Sequence, residues 1–167
     1  MHPVRCLIIV TAVLSPACTE TLTQALGRLP RTQPDPPISV EDTVTAKALR
    51  DALATGYVHG PLVIIANGDG ALRSSSLPHV DSVTFLLLTP EHIQALADEY
   101  GDLSYVKILG PTVRDSVATV TIGLDGAFSR AQHPYGVVDG GGSCEWRLTR
   151  GNGQWRAERS RMICMIS

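Results

Sequence analysis

The clearest pattern of hydrophobic and polar positions lies near the C-terminal end of the chain. Cys144, Trp146 and Leu148 alternate with Glu145, Arg147 and Thr149, the period of two of a half-buried strand. Asn152-Gly153 follows, a pair suited to a type I′ turn, which needs positive φ at both central positions. A two-residue turn there sets Arg150 against Trp155 and Leu148 against Ala157, so both indoles share one apolar face. A three-residue Gly151–Gly153 loop would put Trp155 opposite Thr149, because a slip of one residue reverses every side chain. Beyond Ala157 the alternation breaks. Arg159 and Arg161 would point inward, and Met162, Cys164 and Ile166 outward. One extra residue near Arg159 to Arg161, a β-bulge, restores the apolar face. It predicts Met162 opposite Cys144, with Cys164 diagonal to it. Gly140 to Gly142 suit a sharp bend at the start of the hairpin.

Earlier in the chain the period changes. Ser39 is placed to cap a helix from Val40 to about Thr55, with Asp42 three residues on. Val44, Ala48, Leu49, Ala52 and Leu53 make its apolar stripe, and Gly56 stops it. Leu62 to Ala66 is a short continuous apolar run, read as a buried strand. Asn67 to Gly70 and Ser74 to Ser76 read as turn and loop, since they lack the ligand alternation of a calcium loop and the lysine of a phosphate loop. Val83 to Leu88 is a second apolar run. Thr89 caps the next helix, Pro90 opens it, and Gly101 closes it. Ile93, Leu96, Ala97 and Tyr100 form its buried stripe.

Leu103 to Leu109 is apolar on both faces and reads as a strand ended by Gly110-Pro111. Val117 to Leu124, rich in Val, Thr and Ile, is another. Asp125-Gly126 begins a loop whose contents include Arg130, His133, Tyr135 and Asp139. The grouping of helices and then successive strands predicts an α+β fold. Its expected form is a curved antiparallel sheet of four or more strands packed on one or two helices.

The N-terminus is different in kind. Cys6 to Leu14 is an apolar run of nine residues after Arg5. It is far short of the ~20 residues a membrane-spanning helix needs, and it suits the core of a secretory signal. Four prolines between Pro30 and Pro37 preclude a helix there and favour an extended spacer. The expected organisation is a signal over residues 1–17, a Pro-rich tether over 18–38 and one domain over 39–167.

Leu14-Ser15-Pro16-Ala17-Cys18 resembles a bacterial lipoprotein signal, with Ser15 where the family pattern has leucine. That resemblance implies cleavage before Cys18, lipid on Cys18, and a mature chain held at a membrane. Ordinary secretion after a cut at the same place is one alternative, and a cytosolic chain with an apolar start is another. An exported chain meets an oxidising compartment, where Cys144 and Cys164 are an even pair that would form either a disulfide, geometrically tight from diagonal positions, or two buried thiols. The last strands are similar to those of bacterial exported domains of uncharacterised role. The order of elements over residues 39–167 also resembles the nuclear-transport-factor-two-like, or cystatin-like, cone, in which a bent sheet wraps a helix.

The chain of 167 residues is 44% hydrophobic and 18% charged, with a net charge of −2. This is a globular composition without the basic footprint of a nucleic-acid binder. The histidines His59, His79, His92 and His133 have no metal-ligand spacing, and no cofactor or metal is expected. His133, Arg130 and Asp139 on one polar loop, with Tyr105, are the candidate ligand-site residues. In a cone, Tyr105 with Asp98, Asp102 and Asp115 would line the cavity, as acid–base groups do in some enzymes of that fold. The favoured expectation is a non-catalytic exported domain that binds a protein partner or small molecule. The alternative is a small hydrolase, dehydratase or isomerase.

Overall fold

The computed structural model describes residues 21–135, 141–158 and 163–166. The signal segment and Cys18 lie outside the described residues. In chain order the elements are α1 (Leu22–Arg28), α2 (Val40–Ala54), β1 (Leu62–Ala66), β2 (Thr84–Leu88), α3 (Pro90–Tyr100), β3 (Leu103–Arg114), β4 (Val117–Ala127), β5 (Gly142–Gly151), β6 (Gln154–Ala157) and β7 (Ile163–Ile166). The fold is α+β with a curved seven-stranded sheet, in which β2-β1-β3-β4-β5-β6 are neighbours in that order and β7 pairs with β5. The sheet is mixed rather than purely antiparallel. β1 pairs in parallel with both β2 and β3, since α3 carries the chain from the end of β2 back to the start of β3.

The two long helices form where their local signals place them. Ser39 Oγ accepts the Asp42 amide at 2.9 Å at the start of α2. Thr89 caps α3, Pro90 fills its first turn, and Gly101 ends it at φ 102°. Val44, Ala48, Leu49 and Ala52 of α2 are fully buried against Val120, Ile122, Trp146 and Leu148 on one face of the sheet. Ile93 and Ala97 of α3 pack with Ile64, Leu86 and Leu103 on the other face. The core therefore has two compartments separated by the sheet.

A third helix, α1, lies inside the segment predicted to be a spacer. Seven residues rarely hold a helix alone, but Leu26 is buried with Ile64 and Leu86 in the second compartment. The following residues are extended, as the prolines require. Thr32 forms an antiparallel bridge with Phe85, donating its amide to Phe85 O at 2.9 Å. Residues 22–32 are thus packed on the domain and cover part of the exposed edge of β2.

Gly110-Pro111 does not end β3. The pair sits in a bulge where the register shifts between Leu109↔Thr121 and Thr112↔Thr119, and pairing resumes beyond it. A bulge leaves a residue without a ladder bond, which is where a strand tolerates a proline. Nor does β4 stop at Leu124; it runs through Asp125 and Gly126 to Ala127.

The C-terminal hairpin has the predicted two-residue turn, with Asn152 at φ 50° and Gly153 at φ 78° between the paired Gly151 and Gln154. Trp146 and Trp155 are both buried in the α2 compartment. Past this hairpin the register differs from expectation. Continuous pairing from Leu148↔Ala157 would bring Arg161 opposite Cys144. Cys164 stands there instead, three residues later, so it is opposite Cys144 rather than diagonal to it. One extra residue and three reverse the parity alike, but three shift the partner further. The expected site of insertion, Arg159 to Arg161, lies outside the described residues.

Candidate functional site

A cavity of about 510 Å³ opens where β1 and β3 part. The two strands are in register at Ile65↔Val106, and the cavity lies on the N-terminal side of that pair. Leu62 to Ile64 form one side and Ser104 to Val106 the other; Leu124, Phe128 and Val58 complete the apolar wall. Tyr57, His59, Tyr105 and Asp125 bring polar atoms to its lining. Tyr57 donates its hydroxyl to Gly142 O at 2.9 Å and packs its ring 5.1 Å from that of Trp146.

The polar end of the cavity is built by strand register. Tyr105 of β3 lies directly opposite Asp125 of β4, and Lys107 lies opposite Gly123. Tyr105 and Lys107, two residues apart, share a face, so Lys107 reaches Asp125 diagonally. Tyr105 donates its hydroxyl to Asp125 Oδ2 at 3.1 Å, and the Lys107 ammonium pairs with the same oxygen. Asp125 Oδ1 accepts the Gly126 amide at 2.9 Å. Lys107 Nζ also lies 5.5 Å from the centre of the Tyr105 ring, within reach of a cation–π contact.

Each of these groups is held in its ordinary charge state. Burial works to raise the Asp125 carboxyl, but the Lys107 ammonium, the Gly126 amide and the Tyr105 hydroxyl outweigh it and leave it below the usual carboxylate range. The hydrogen bond to Asp125 raises Lys107. Burial, followed by the Asp125 charge, raises Tyr105.

The predicted ligand-site residues divide into separate places. Tyr105 lines the cavity, whereas His133 and Arg130 belong to a neighbouring polar cluster. His133 Nε2 lies 2.8 Å from Asp102 Oδ2, and Asp102 Oδ1 accepts the Ser129 amide at 2.9 Å. Asp98 Oδ1 accepts the Arg130 amide at 2.9 Å and a Gln94 side-chain proton at 3.1 Å; its other oxygen is 3.5 Å from Arg130 Nη1. Asp98 and Asp102 therefore hold this loop. Asp115 is in the turn between β3 and β4 at φ 52°. Asp139 lies outside the described residues.

Asp125, Phe128, Tyr57 and His59 were not among the candidates. Asp125 read as the start of a loop, and only the β3–β4 register brings it to Tyr105. Among the described residues no group of three or more His, Cys, Asp or Glu side chains is arranged to hold a metal ion. No helix among them is long and apolar enough to cross a membrane. Comparison with protein-family models, curated proteins and solved structures finds no match to this chain.

Proposed function

We propose that the chain is an exported, lipid-anchored domain that binds a small, uncharged, largely apolar molecule in the cavity between β1 and β3. The observation that carries this reading is the cavity itself. Its walls are mostly aliphatic and aromatic, with a few polar side chains among them, of which Tyr105 and Asp125 are hydrogen-bonded to each other, the usual make-up of a small-molecule site. The Lys107–Asp125 pair balances its own charge, so the polar end offers neither sign to a charged ligand. Tyr105 and Asp125 retain lone pairs for a hydroxyl or amide proton on the ligand. At the Tyr105–Asp125 end, binding is favoured over catalysis because these groups are committed to one another, Asp125 accepting from both Tyr105 and Lys107, with Asp125 pushed down and Tyr105 and Lys107 pushed up. All three shifts lead away from neutral pH, where a general acid or base works best.

The export half rests on the pattern from Arg5 to Cys18 and on the pairing of Cys144 with Cys164 in register. Directly opposed residues in antiparallel strands have Cα atoms about 4.5–5.5 Å apart, inside the span a disulfide bridges. With lipid on Cys18, only Thr19 and Glu20 separate the anchor from the α1 cap at Thr21. The domain would then sit close against the bilayer surface.

Two measurements test the reading. Mass spectrometry of the mature, non-reduced protein should show a chain beginning at Cys18, an acyl mass on it, and loss of two hydrogens across Cys144 and Cys164. An intact Met1 with free thiols would end the export argument. Titration with the uncharged probe N-phenyl-1-naphthylamine should give saturable fluorescence that Val106→Trp, which fills the cavity, abolishes. Undiminished binding by that folded variant would place the probe elsewhere and defeat the cavity reading.

A further inference from the structure

We infer that Phe128 is a movable wall of the cavity, held by a polar latch, and that the latch sets how bulky a ligand the cavity admits. The inference rests on the binding reading above. Phe128 follows directly on the end of β4 and is half-buried, whereas its neighbour Ala127 is anchored in the core. The ring lines the cavity and lies over Gly126. A Cβ at Gly126 would come within 2.8 Å of Phe128 Cζ, so the bare glycine is what lets the ring settle there. On its outer side the ring meets His133 edge to face, with centres 5.6 Å apart and an interplanar angle of 81°.

What keeps this wall closed is polar. Gln94 Nε2 donates to Phe128 O at 2.9 Å. Asp102 accepts the Ser129 amide and Asp98 the Arg130 amide, each at 2.9 Å. His133 lies 2.8 Å from Asp102. Three consecutive residues are therefore tied to side chains on or just beyond α3. Hydrogen bonds at a partly exposed site add modestly to stability, because water replaces them when they open. Phe128 is half-buried and Arg130 exposed, so the segment opens at lower cost than the fully buried strands. The burial of Ser129 between them, 2% exposed, is the largest part of that cost. Swinging Phe128 away at the Ala127–Phe128 junction would widen the cavity without disturbing Tyr105 and Asp125 at its polar end.

The chain contains two phenylalanines, so 4-fluorophenylalanine labelling of the full chain gives two fluorine signals. Phe85, 1% exposed in the core, is an internal reference for folding. In the double variant Asp98→Ala, Asp102→Ala the Phe128 signal should move toward the solvent-exposed position while that of Phe85 stays. The Ser129 and Arg130 amides should exchange about tenfold faster or more, the factor for losing one charge-assisted hydrogen bond. The affinity for N-phenyl-1-naphthylamine should change at least about threefold, in the same direction as in Phe128→Ala. Gly126→Ala should displace the ring and alter affinity with the latch intact. If the double variant loses the Phe85 signature, His133→Ala removes one half-exposed contact and gives the same comparison more gently. A Phe128 signal unmoved by loss of the latch overturns the inference. So does a ring that moves while probe affinity stays constant, and that result leaves the cavity reading standing. No saturable binding by the parent chain overturns both.

Discussion

Tyr105 and Asp125 face each other across β3 and β4, and the tyrosine hydroxyl donates to Asp125 Oδ2 at 3.1 Å. The bond joins the polar end of the cavity to the sheet. Tyr105→Phe should therefore cost about 1 kcal/mol of stability, the usual net worth of one such bond. Asp125→Ala should cost more, since Lys107, Tyr105 and the Gly126 amide all lose their acceptor. The Lys107 share is small because its side chain is half-exposed and regains water. Urea midpoints at constant slope check this; a Tyr105→Phe midpoint equal to that of the parent would mean the bond contributes nothing.

Stability should form a plateau bounded by acid and alkali. Asp98, Asp102 and Asp125 are all held below the ordinary carboxylate value of 3.8. A carboxyl depressed in the folded state contributes stability that is complete above its unfolded value and is lost as pH falls through the folded one. The loss on the acid side should therefore set in below about pH 4. Tyr105 and Lys107 are raised above 10.0 and 10.5, so their contribution is present below those values and declines as pH rises past them. Urea midpoints across the pH range test the shape. Asp102→Asn should flatten the acid limb, and an unchanged acid limb in that variant would count against the assignment.

The C-terminal hairpin should be sensitive at its turn and at its buried indole. Gly153 sits at φ 78°, where a side chain costs about 1–2 kcal/mol, so Gly153→Ala should lower stability by that amount. Trp155 is 7% exposed in the α2 compartment, and Trp155→Ala should cost about 3–5 kcal/mol. Thermal unfolding of the two variants should rank them in that order.

The placement of α1 makes a truncation informative. A chain beginning at Ser39 lacks Leu26 and the Thr32–Phe85 bridge, which leaves Ile64, Leu86 and the β2 edge less covered. Losing the burial of one leucine alone is worth about 1.5–3 kcal/mol. A chain beginning at Thr21 should keep the full Tm, and one beginning at Ser39 should melt several degrees lower and aggregate more readily. Equal melting of the two would mean that α1 does not stabilise the domain.

Much of this architecture was legible locally. Ser39 and Thr89 sit at helix starts and Gly56 and Gly101 just past helix ends, where capping chemistry depends on a few adjacent residues. The Asn152-Gly153 turn was readable for the same reason, and with it the shared face of Trp146 and Trp155. By contrast, α1 was not legible. Its seven residues lack the length to signal a helix, and burial of Leu26 supplies what propensity does not.

The candidate site depended on a distant cause. From the β3–β4 turn, where Arg114 pairs with Val117, unbroken register would set Tyr105 opposite Gly126. That would turn the Asp125 side chain to the other face of the sheet. The one-residue bulge at Gly110-Pro111 restores Asp125 to Tyr105. The pairing of Cys144 with Cys164 likewise depends on how many residues the chain takes to return to β5.

The amino-acid sequence by itself determined where helices start and stop, which faces are apolar and how the last hairpin turns, because those are decided by neighbours along the chain. Only the tertiary structure decided which strands run parallel, that His133 and Tyr105 serve different places, and that Asp125 and Phe128 frame a cavity. These follow from register and packing between segments far apart in sequence, where one extra residue changes which side chains meet.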